Sequence, residues 1–272
     1  ASRVAGALLL APLAAAAGDL PTGGTVTAGQ GSLQQVGNVL TIQQGSDKLA
    51  IDWNSFSIGQ GHSVNFVQPG AASVALNRVL GPDVSVIQGA LNANGQVFLV
   101  NPNGVLFSPT AQVNVGSLLA STLNITTEDF LAGRYHFSGD STAAIVNQGQ
   151  ISAASGGHVA LVAARIVNDG QLSADRGSVV LAAGSTVRLD LGGPVQVEVD
   201  GGALGALIDN GGAIRANWVR SRPASISAAS ISTRRSSASL HSSRPGAPAN
   251  VAVWKQRGCV VNRCARMWAP IE

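Results

Sequence analysis

A short segment of the sequence returns at a fixed spacing, and this repeat limits the possible folds most strongly. Residues 147–153 (NQGQISA) recur 21 residues later as 168–174 (NDGQLSA), and 42 residues further on as 210–216 (NGGAIRA), an interval that we interpret as two periods. Each period contains two or three apolar runs of four to six residues, which are too short for helices. A period near 20 with short β-type segments predicts a solenoid.

The kind of solenoid follows from how the repeats can pair. Leucine-rich repeats have a similar period, but their regular L-x-x-L-x-L frame is absent from the sequence. We therefore predict an all-β, single-stranded parallel β-helix, in which each strand pairs with the strand one coil above it, about 4.8 Å away. Equivalent positions then stack, so Asn147 and Asn168 should bond side chain to side chain as a ladder. Residues 18–216 should hold about nine coils at this period.

Composition agrees with a β fold. The chain has 272 residues, of which 33 are glycine, 11% are charged and 4% are aromatic. Glycine and β-branched residues are poor helix formers, which disfavours a helix bundle. Amphipathic crossover helices, which a doubly wound enzyme would need, are missing.

Both ends of the chain differ from the repeat region. Residues 1–17 (ASRVAGALLLAPLAAAA) resemble the hydrophobic part of a signal peptide with an A-x-A cleavage site, without the basic start. We interpret them as a signal-peptide remnant, which would leave a mature domain of residues 18–216 without cysteine. A chain of this kind is stabilised by core burial rather than by disulfides.

The region after position 216 loses the repeat and changes charge. Residues 1–216 hold 8 of the 17 Lys and Arg and 13 of the 14 Asp and Glu, whereas residues 217–272 hold 9 basic groups and one acid. We predict that 217–272 is a Ser/Arg-rich tail, either disordered or translated out of frame. A basic arm that binds anionic lipid or nucleic acid is the alternative. Cys259 and Cys264 could close a small loop but do not form a metal site.

Two segments depart from the simple repeat. Residues 126–133 (TTEDFLAG) predict one helical turn that projects from the stack, with Thr127 as its N-cap and Gly133 as its terminator. Residues 101–104 (NPNG) predict a tight turn at a corner of a coil. The Asn101 side chain can bond its own backbone two residues on, and Pro102, Asn103 and Gly104 suit the remaining turn positions.

Several motifs in order resemble the N-terminal secretion domain of filamentous-haemagglutinin-like exoproteins of bacterial two-partner secretion. The resemblance covers about residues 20–216. The matching segments are 20–24 (LPTGG), 51–59 (IDWNSFSIG), 64–69 (VNFVQP), 75–79 (ALNRV), 95–107 (GQVFLVNPNGVLF), 116–122 (GSLLAST) and 129–137 (DFLAGRYHF).

This resemblance implies a right-handed parallel β-helix with a capped N-terminal end, and a non-enzymatic role in secretion of an adhesin. It implies export through the periplasm and recognition by an outer-membrane β-barrel transporter with periplasmic transport-associated domains. The product would be secreted or attached at the cell surface, where the parent adhesin could meet a host receptor or glycan. In the family, Asn-Pro-Asn-Gly is associated with secretion, which maps that role onto Asn101, Pro102, Asn103 and Gly104. The family's second motif, Asn-Pro-Asn-Leu, has no copy here.

Two other functions are also compatible with a β-helix. A β-helix polysaccharide lyase or hydrolase needs clustered carboxylates, for which Glu198 and Asp200, with Asp190 and Asp209, are the candidates. A passenger domain of a self-transporting protein would need a C-terminal membrane β-barrel, whose alternating strands are absent from the sequence. The histidines at 62, 136 and 158 are widely spaced and predict exposed positions rather than a zinc site. No cofactor is expected.

Overall fold

The chain forms a parallel β-helix in the computed structural model, which describes residues 19–191, 195–201 and 206–223. The strands are β1 (Thr25–Ala28), β2 (Gly31–Val36), β3 (Val39–Gln44), β4 (Lys48–Trp53), β5 (Ser63–Val67), β6 (Val74–Val79), β7 (Ser85–Ile87), β8 (Ala90–Ala93), β9 (Gln96–Val100), β10 (Val105–Phe107), β11 (Gln112–Val115), β12 (Ser117–Ser121), β13 (Tyr135–Ser138), β14 (Ala144–Asn147), β15 (Gln150–Ala153), β16 (His158–Ala163), β17 (Arg165–Asn168), β18 (Gln171–Ala183), β19 (Thr186–Asp190), β20 (Gln196–Gly201), β21 (Leu207–Asn210) and β22 (Ala213–Pro223). Helix α1 spans Thr127–Ala132.

Parallel pairing between successive coils gives the stack three faces. Face 1 contains β3, β5, β8, β11, β15 and the first parts of β18 and β22. Face 2 contains β4, β6, β9, β12, β16 and the second parts of β18 and β22. Face 3 contains β7, β10, β14, β17 and β21. The described residues thus form seven coils, of which the first and the last have strands on faces 1 and 2 only, and the expected number of about nine was wrong.

The missing coils are accounted for by two insertions and a cap. The first insertion, residues 122–143, carries α1 and β13 between faces 2 and 3. The second, residues 184–206, carries the β19–β20 hairpin at the same corner two coils later. Strand β13 pairs antiparallel with β19, so the two insertions share a small sheet. The interval of 42 residues is therefore one coil plus an insertion, because Asn168 pairs directly with Asn210.

The insertions explain why face 2 is apolar on both sides. Val159 and Leu161 of β16 point into the coil, where they join the main core. Ala160 and Val162 point outward, and they are buried in a second core beneath the insertions, together with Phe130 of α1. A strand that is covered on both faces becomes a continuous apolar run rather than an alternating one.

Helix α1 has the predicted cap chemistry, shifted by one residue. Thr126, not Thr127, is the N-cap, and its side chain accepts from the Asp129 backbone N–H. Gly133 ends the helix in the left-handed conformation, with φ of 75°. The acids Glu128 and Asp129 lie in the first turn, where the helix dipole favours negative charge.

The N-terminal end of the stack is closed by antiparallel strands. Strand β2 pairs antiparallel with β3, and β1 pairs antiparallel with β4, which confirms the predicted cap. At the other end, β22 continues to Pro223 and pairs in parallel with β18 past position 216. The proposed signal-peptide remnant (1–17) and most of the proposed tail (224–272) lie outside the described residues, so the division of the chain there stays a prediction. Among the described residues, no helix has the length and apolar character needed to cross a membrane.

Candidate functional site: the corner at residues 101–104

The Asn-Pro-Asn-Gly segment forms the corner between β9 on face 2 and β10 on face 3. The Gly104 backbone N–H donates to the Asn101 carbonyl oxygen (3.0 Å), which closes the turn. The Asn103 backbone N–H donates to Asn101 Oδ1 (2.9 Å), the bond predicted from the sequence. Gly104 has φ of 113°, a conformation that L side chains rarely adopt, so this turn position favours glycine.

Asn101 is fully buried and connects its coil to both neighbours. Its Nδ2 donates to the Asp83 carbonyl oxygen and to Ser85 Oγ of the preceding coil, each at 2.9 Å. Its backbone N–H donates to the Ser121 carbonyl oxygen of the following coil (2.9 Å). A buried amide with all these partners fixes the stacking of the corner and has little surface to offer a partner protein.

Pro102 and Asn103 are the exposed residues of the corner. Asn103 Nδ2 donates to the Gly81 carbonyl oxygen (2.8 Å), while Ser141 Oγ of the first insertion donates to the Pro102 carbonyl oxygen (2.6 Å). The corner is therefore held from below by the preceding coil and from above by the insertion.

Sequence reasoning missed the loop that the two asparagines hold. This loop, residues 80–84, links β6 to β7, and it presents two apolar side chains to solvent: Leu80 is 67% exposed and Val84 is 45% exposed. We call Leu80, Val84, Pro102 and Asn103 the corner surface. An apolar pair beside Gly81 and Pro82, in a loop that should be polar, is the sequence signal that could have identified it.

The carboxylates considered for an enzyme do not converge. Glu198 and Asp200 share one side of β20, as expected, but Arg188 of β19 faces both, at 3.8 Å and 3.4 Å. Asp190 is the last residue of β19 in the same hairpin, and Asp209 lies in β21, in the five-stranded sheet of face 3. Within the described residues, no group of three His, Cys, Asp or Glu side chains could hold a metal ion.

A cavity of about 630 Å³ lies between the insertions and the outer side of face 2. Its lysine and arginine side chains already have partners, whereas the buried Nε2 of His136 has none among the described residues. Lys48 Nζ donates to the Phe130 and Leu131 carbonyl oxygens (3.0 and 2.7 Å) at the C-terminal end of α1. Arg134 Nε lies 2.7 Å from Asp129 Oδ1, which holds the pKa of that carboxyl below its usual value. The cavity therefore resembles a packing gap between neutralised charges.

The expectation that all three histidines are exposed was wrong for His158. His62 and His136 are half-buried, whereas His158 is 7% exposed on the outer side of face 2. Its Nε2 has no hydrogen-bond partner in the described part of the chain. Burial lowers the pKa of His158 to about 4, because the charged imidazolium cannot be solvated there.

This burial predicts a loss of stability in mild acid. Since the folded pKa of His158 lies below its unfolded value, its full contribution to stability is present above pH 6.5 and is lost as the pH falls toward 4. The total loss is about 3 kcal/mol, of which about 2 kcal/mol has gone at pH 5. Urea unfolding at pH 7 and pH 5 measures it. His158→Gln should lose that share of the acid sensitivity, and the half-buried control His62→Gln should keep it; equal behaviour of the two variants contradicts the prediction.

Proteins of known structure share this architecture. The model of the TPS secretion domain family matches residues 17–238. The solved structure of the HMW1 secretion domain from Haemophilus influenzae superimposes with a TM-score of 0.64 and 30% sequence identity, over 74% of this chain and 57% of that one.

Two curated relatives, both named heme/hemopexin-binding protein and both from Haemophilus influenzae, are similar over a shorter segment. One is 49% identical over 111 residues, which is 41% of this chain and 12% of the relative. The other is 50% identical over 98 residues, which is 36% of this chain and 11% of the relative. The chain thus matches a small part of the length of these relatives.

Proposed function

Because the chain belongs to the TPS secretion domain family, we propose that it directs the export of a two-partner-secretion exoprotein and does so without enzymatic activity. A cognate outer-membrane β-barrel transporter, through its periplasmic domains, is the proposed partner. The proposed route runs through the periplasm and across the outer membrane to the cell surface. Binding of host molecules, including any glycan or receptor, is assigned in this proposal to the rest of the parent adhesin.

One observation carries this proposal: the stack is closed at its N-terminal end, and its parallel register is repeated from coil to coil as far as residue 223, the last described residue. The antiparallel cap strands β1 and β2 end the parallel pairing at the N-terminal side. At the C-terminal side, β22 repeats the β18 register from residue 213 to residue 223, apart from one irregularity at the corner. Each coil is therefore a template for the next, and coils can be added in the order in which the chain emerges. No ATP is available at the outer membrane to drive export. The free energy of folding outside the cell could instead draw the chain across it.

The corner surface is the proposed contact with the transporter. Pro102 and Asn103 are accessible, and the two asparagines of the motif fix the loop that presents Leu80 and Val84. In this proposal Asn101 and Gly104 act from within, by holding the corner in shape. Apolar residues at the centre of a contact contribute most when they are rigidly held before binding.

The test is capture of the chain by the purified periplasmic domains of the transporter. We expect the double variant Leu80→Ser/Val84→Ser to weaken capture about tenfold, which corresponds to 1.4 kcal/mol. Asn103→Ala should weaken it as well, because the loop loses its bond to the Gly81 carbonyl. Asn101→Ala should act through stability instead, lowering the free energy of unfolding by about 2 kcal/mol.

A matched control uses exposed apolar residues elsewhere. Val36 and Val67 have the same exposed fractions as Leu80 and Val84, 67% and 45%, but lie on the cap and on face 1. Val36→Ser/Val67→Ser should be captured like the unmodified chain. If both double variants, with circular dichroism spectra unchanged, bind equally well, the corner surface is not the contact.

A further inference from the structure

Three asparagines of the chain are followed directly by glycine, the sequence in which an asparagine side chain loses ammonia most readily. They are Asn94, Asn103 and Asn210. In this reaction the glycine backbone nitrogen gives up its proton and attacks Cγ of the asparagine. The C–N bond of the side-chain amide breaks, ammonia leaves and a five-membered succinimide forms. Water then opens the ring to aspartate or isoaspartate. Glycine favours the attack because it has no side chain to hinder it.

In the folded chain, each of the three attacking nitrogens is already a hydrogen-bond donor. The Gly95 N–H donates to Gln68 Oε1 (2.9 Å), a buried acceptor. The Gly104 N–H donates to the Asn101 carbonyl oxygen (3.0 Å), and the Gly211 N–H donates to the Asn168 carbonyl oxygen (2.8 Å). An N–H that donates to a protein acceptor loses its proton less easily and is held away from the neighbouring side chain.

The asparagine side chains are fixed by the preceding coil as well. Asn94 Nδ2 donates to the Gln68 carbonyl oxygen and Asn94 Oδ1 accepts from the Gln68 N–H, both at 2.8 Å. Asn103 Nδ2 donates to the Gly81 carbonyl oxygen (2.8 Å). Asn210 Oδ1 accepts from Asn168 Nδ2 (2.7 Å). Rotation of Cγ toward the glycine nitrogen would break these bonds.

We propose that coil stacking protects these three Asn–Gly sites from deamidation. Deamidation then occurs in chains whose coils have not stacked. Every site uses an acceptor or donor from the coil beneath it. An isolated coil would lose all the bonds named here at Asn94 and Asn210, and at Asn103 it would keep the Gly104 N–H bond within the turn but lose the side-chain bond to Gly81. Deamidation also opposes later stacking of the coils at two of the sites. A carboxylate at position 94 or 103 cannot donate to the carbonyl oxygens of Gln68 or Gly81, and two acceptors would then face each other.

The experiment incubates the purified chain in mildly alkaline buffer, with and without denaturing urea, and follows each site by peptide mass mapping. The readout is the mass gained when ammonia leaves and water enters. We expect all three sites to react at least about tenfold more slowly without urea, because reaction then requires local opening of the stack. Asn103→Gln is the chemical control at its site, since the longer side chain would have to form a six-membered ring.

A variant distinguishes the bonds from general burial. Gln68→Leu removes the acceptor of the Gly95 N–H and should accelerate Asn94, while Asn103 and Asn210 stay slow. Gln43→Leu, which changes an exposed glutamine of β3, should leave all three rates unchanged. If Gln68→Leu unfolds the chain, the three sites should accelerate together to the rates seen in urea. Equal rates with and without urea, in a chain whose circular dichroism shows the β fold, would overturn the proposal.

Discussion

Alanine at position 177 is expected to lower the free energy of unfolding by about 3 kcal/mol, because it would force two coils apart. A Cβ at Gly177 would overlap the carbonyl oxygen of Gly157, and one at Gly157 would overlap that of Gly116. A Cβ at Gly116 would likewise overlap the carbonyl oxygen of Gly95. The four glycines therefore form a column at one corner of successive coils. Their conformations are ordinary for any residue, and the constraint is the closeness of the backbones.

Gly70 provides a matched control for this column. A Cβ there would have no heavy atom within 4 Å, and the backbone of Gly70 does not have positive φ. Gly70→Ala should therefore leave stability unchanged or raise it by up to about 1 kcal/mol, through the reduced entropy of the unfolded chain. Urea unfolding measures both variants. A Gly177→Ala protein as stable as the Gly70→Ala protein would show that the coils have room to separate.

The sequence repeat was visible where coils follow one another without an insertion. Asn147 and Asn168 lie 21 residues apart in adjacent coils and predict both the β-helix and the ladder. The earlier pair Asn65 and Asn92 forms the same kind of bond at a spacing of 27. Coils of unequal length have no common period, so the N-terminal half showed only the alternation typical of strands.

The number of coils could not be predicted because the two insertions pair antiparallel with each other and do not follow the parallel pairing of the coils. Strand β13 pairs with β19 across about 50 residues, and no local pattern indicates such a contact. Without this contact, the interval of 42 residues between Asn168 and Asn210 is interpreted as two coils. The same contact buries the outer side of face 2, which is why the low exposure of His158 was also missed.

At the corner, the local bonds were predictable and the bonds between coils were not. The turn at Asn101 follows from proline and glycine geometry within four residues, and the Asn103 N–H bond has the predicted partner. The bonds from Asn101 and Asn103 to residues 81–85 depend on which segment lies beneath the corner. The length of the whole coil determines which segment lies there. The sequence therefore indicated the motif at residues 101–104 but not the corner surface.

The asparagine ladder is expected to be the other major determinant of stability, and Asn168 is its central member. Asn168 Oδ1 accepts from Asn147 Nδ2, and Asn168 Nδ2 donates to Asn210 Oδ1, both at 2.7 Å. Asn147 and Asn168 are fully buried, so the truncation Asn168→Ala leaves the Asn147 donor without access to water. An unsatisfied buried amide costs about 1–3 kcal/mol in addition to the bonds lost. We expect a total loss of about 3 kcal/mol.

Two further variants separate the ladder from mere loss of volume. Asn92→Ala breaks a similar side-chain bond, to Asn65 at 2.9 Å, but both residues are half-buried, so water replaces the partner and the cost should stay below about 1 kcal/mol. Asn168→Asp keeps the volume but places a carboxylate against Asn210 Oδ1. Burial raises the pKa of such a carboxyl above its unfolded value, so the stability deficit of this variant relative to the unmodified chain should shrink in acid, where the protonated group can donate again. Urea midpoints of the variant and the unmodified chain, compared at neutral and acidic pH, measure this effect. A deficit of the Asn168→Asp protein that is the same at both pH values would mean that the Asn168 donor does not stabilise the stack.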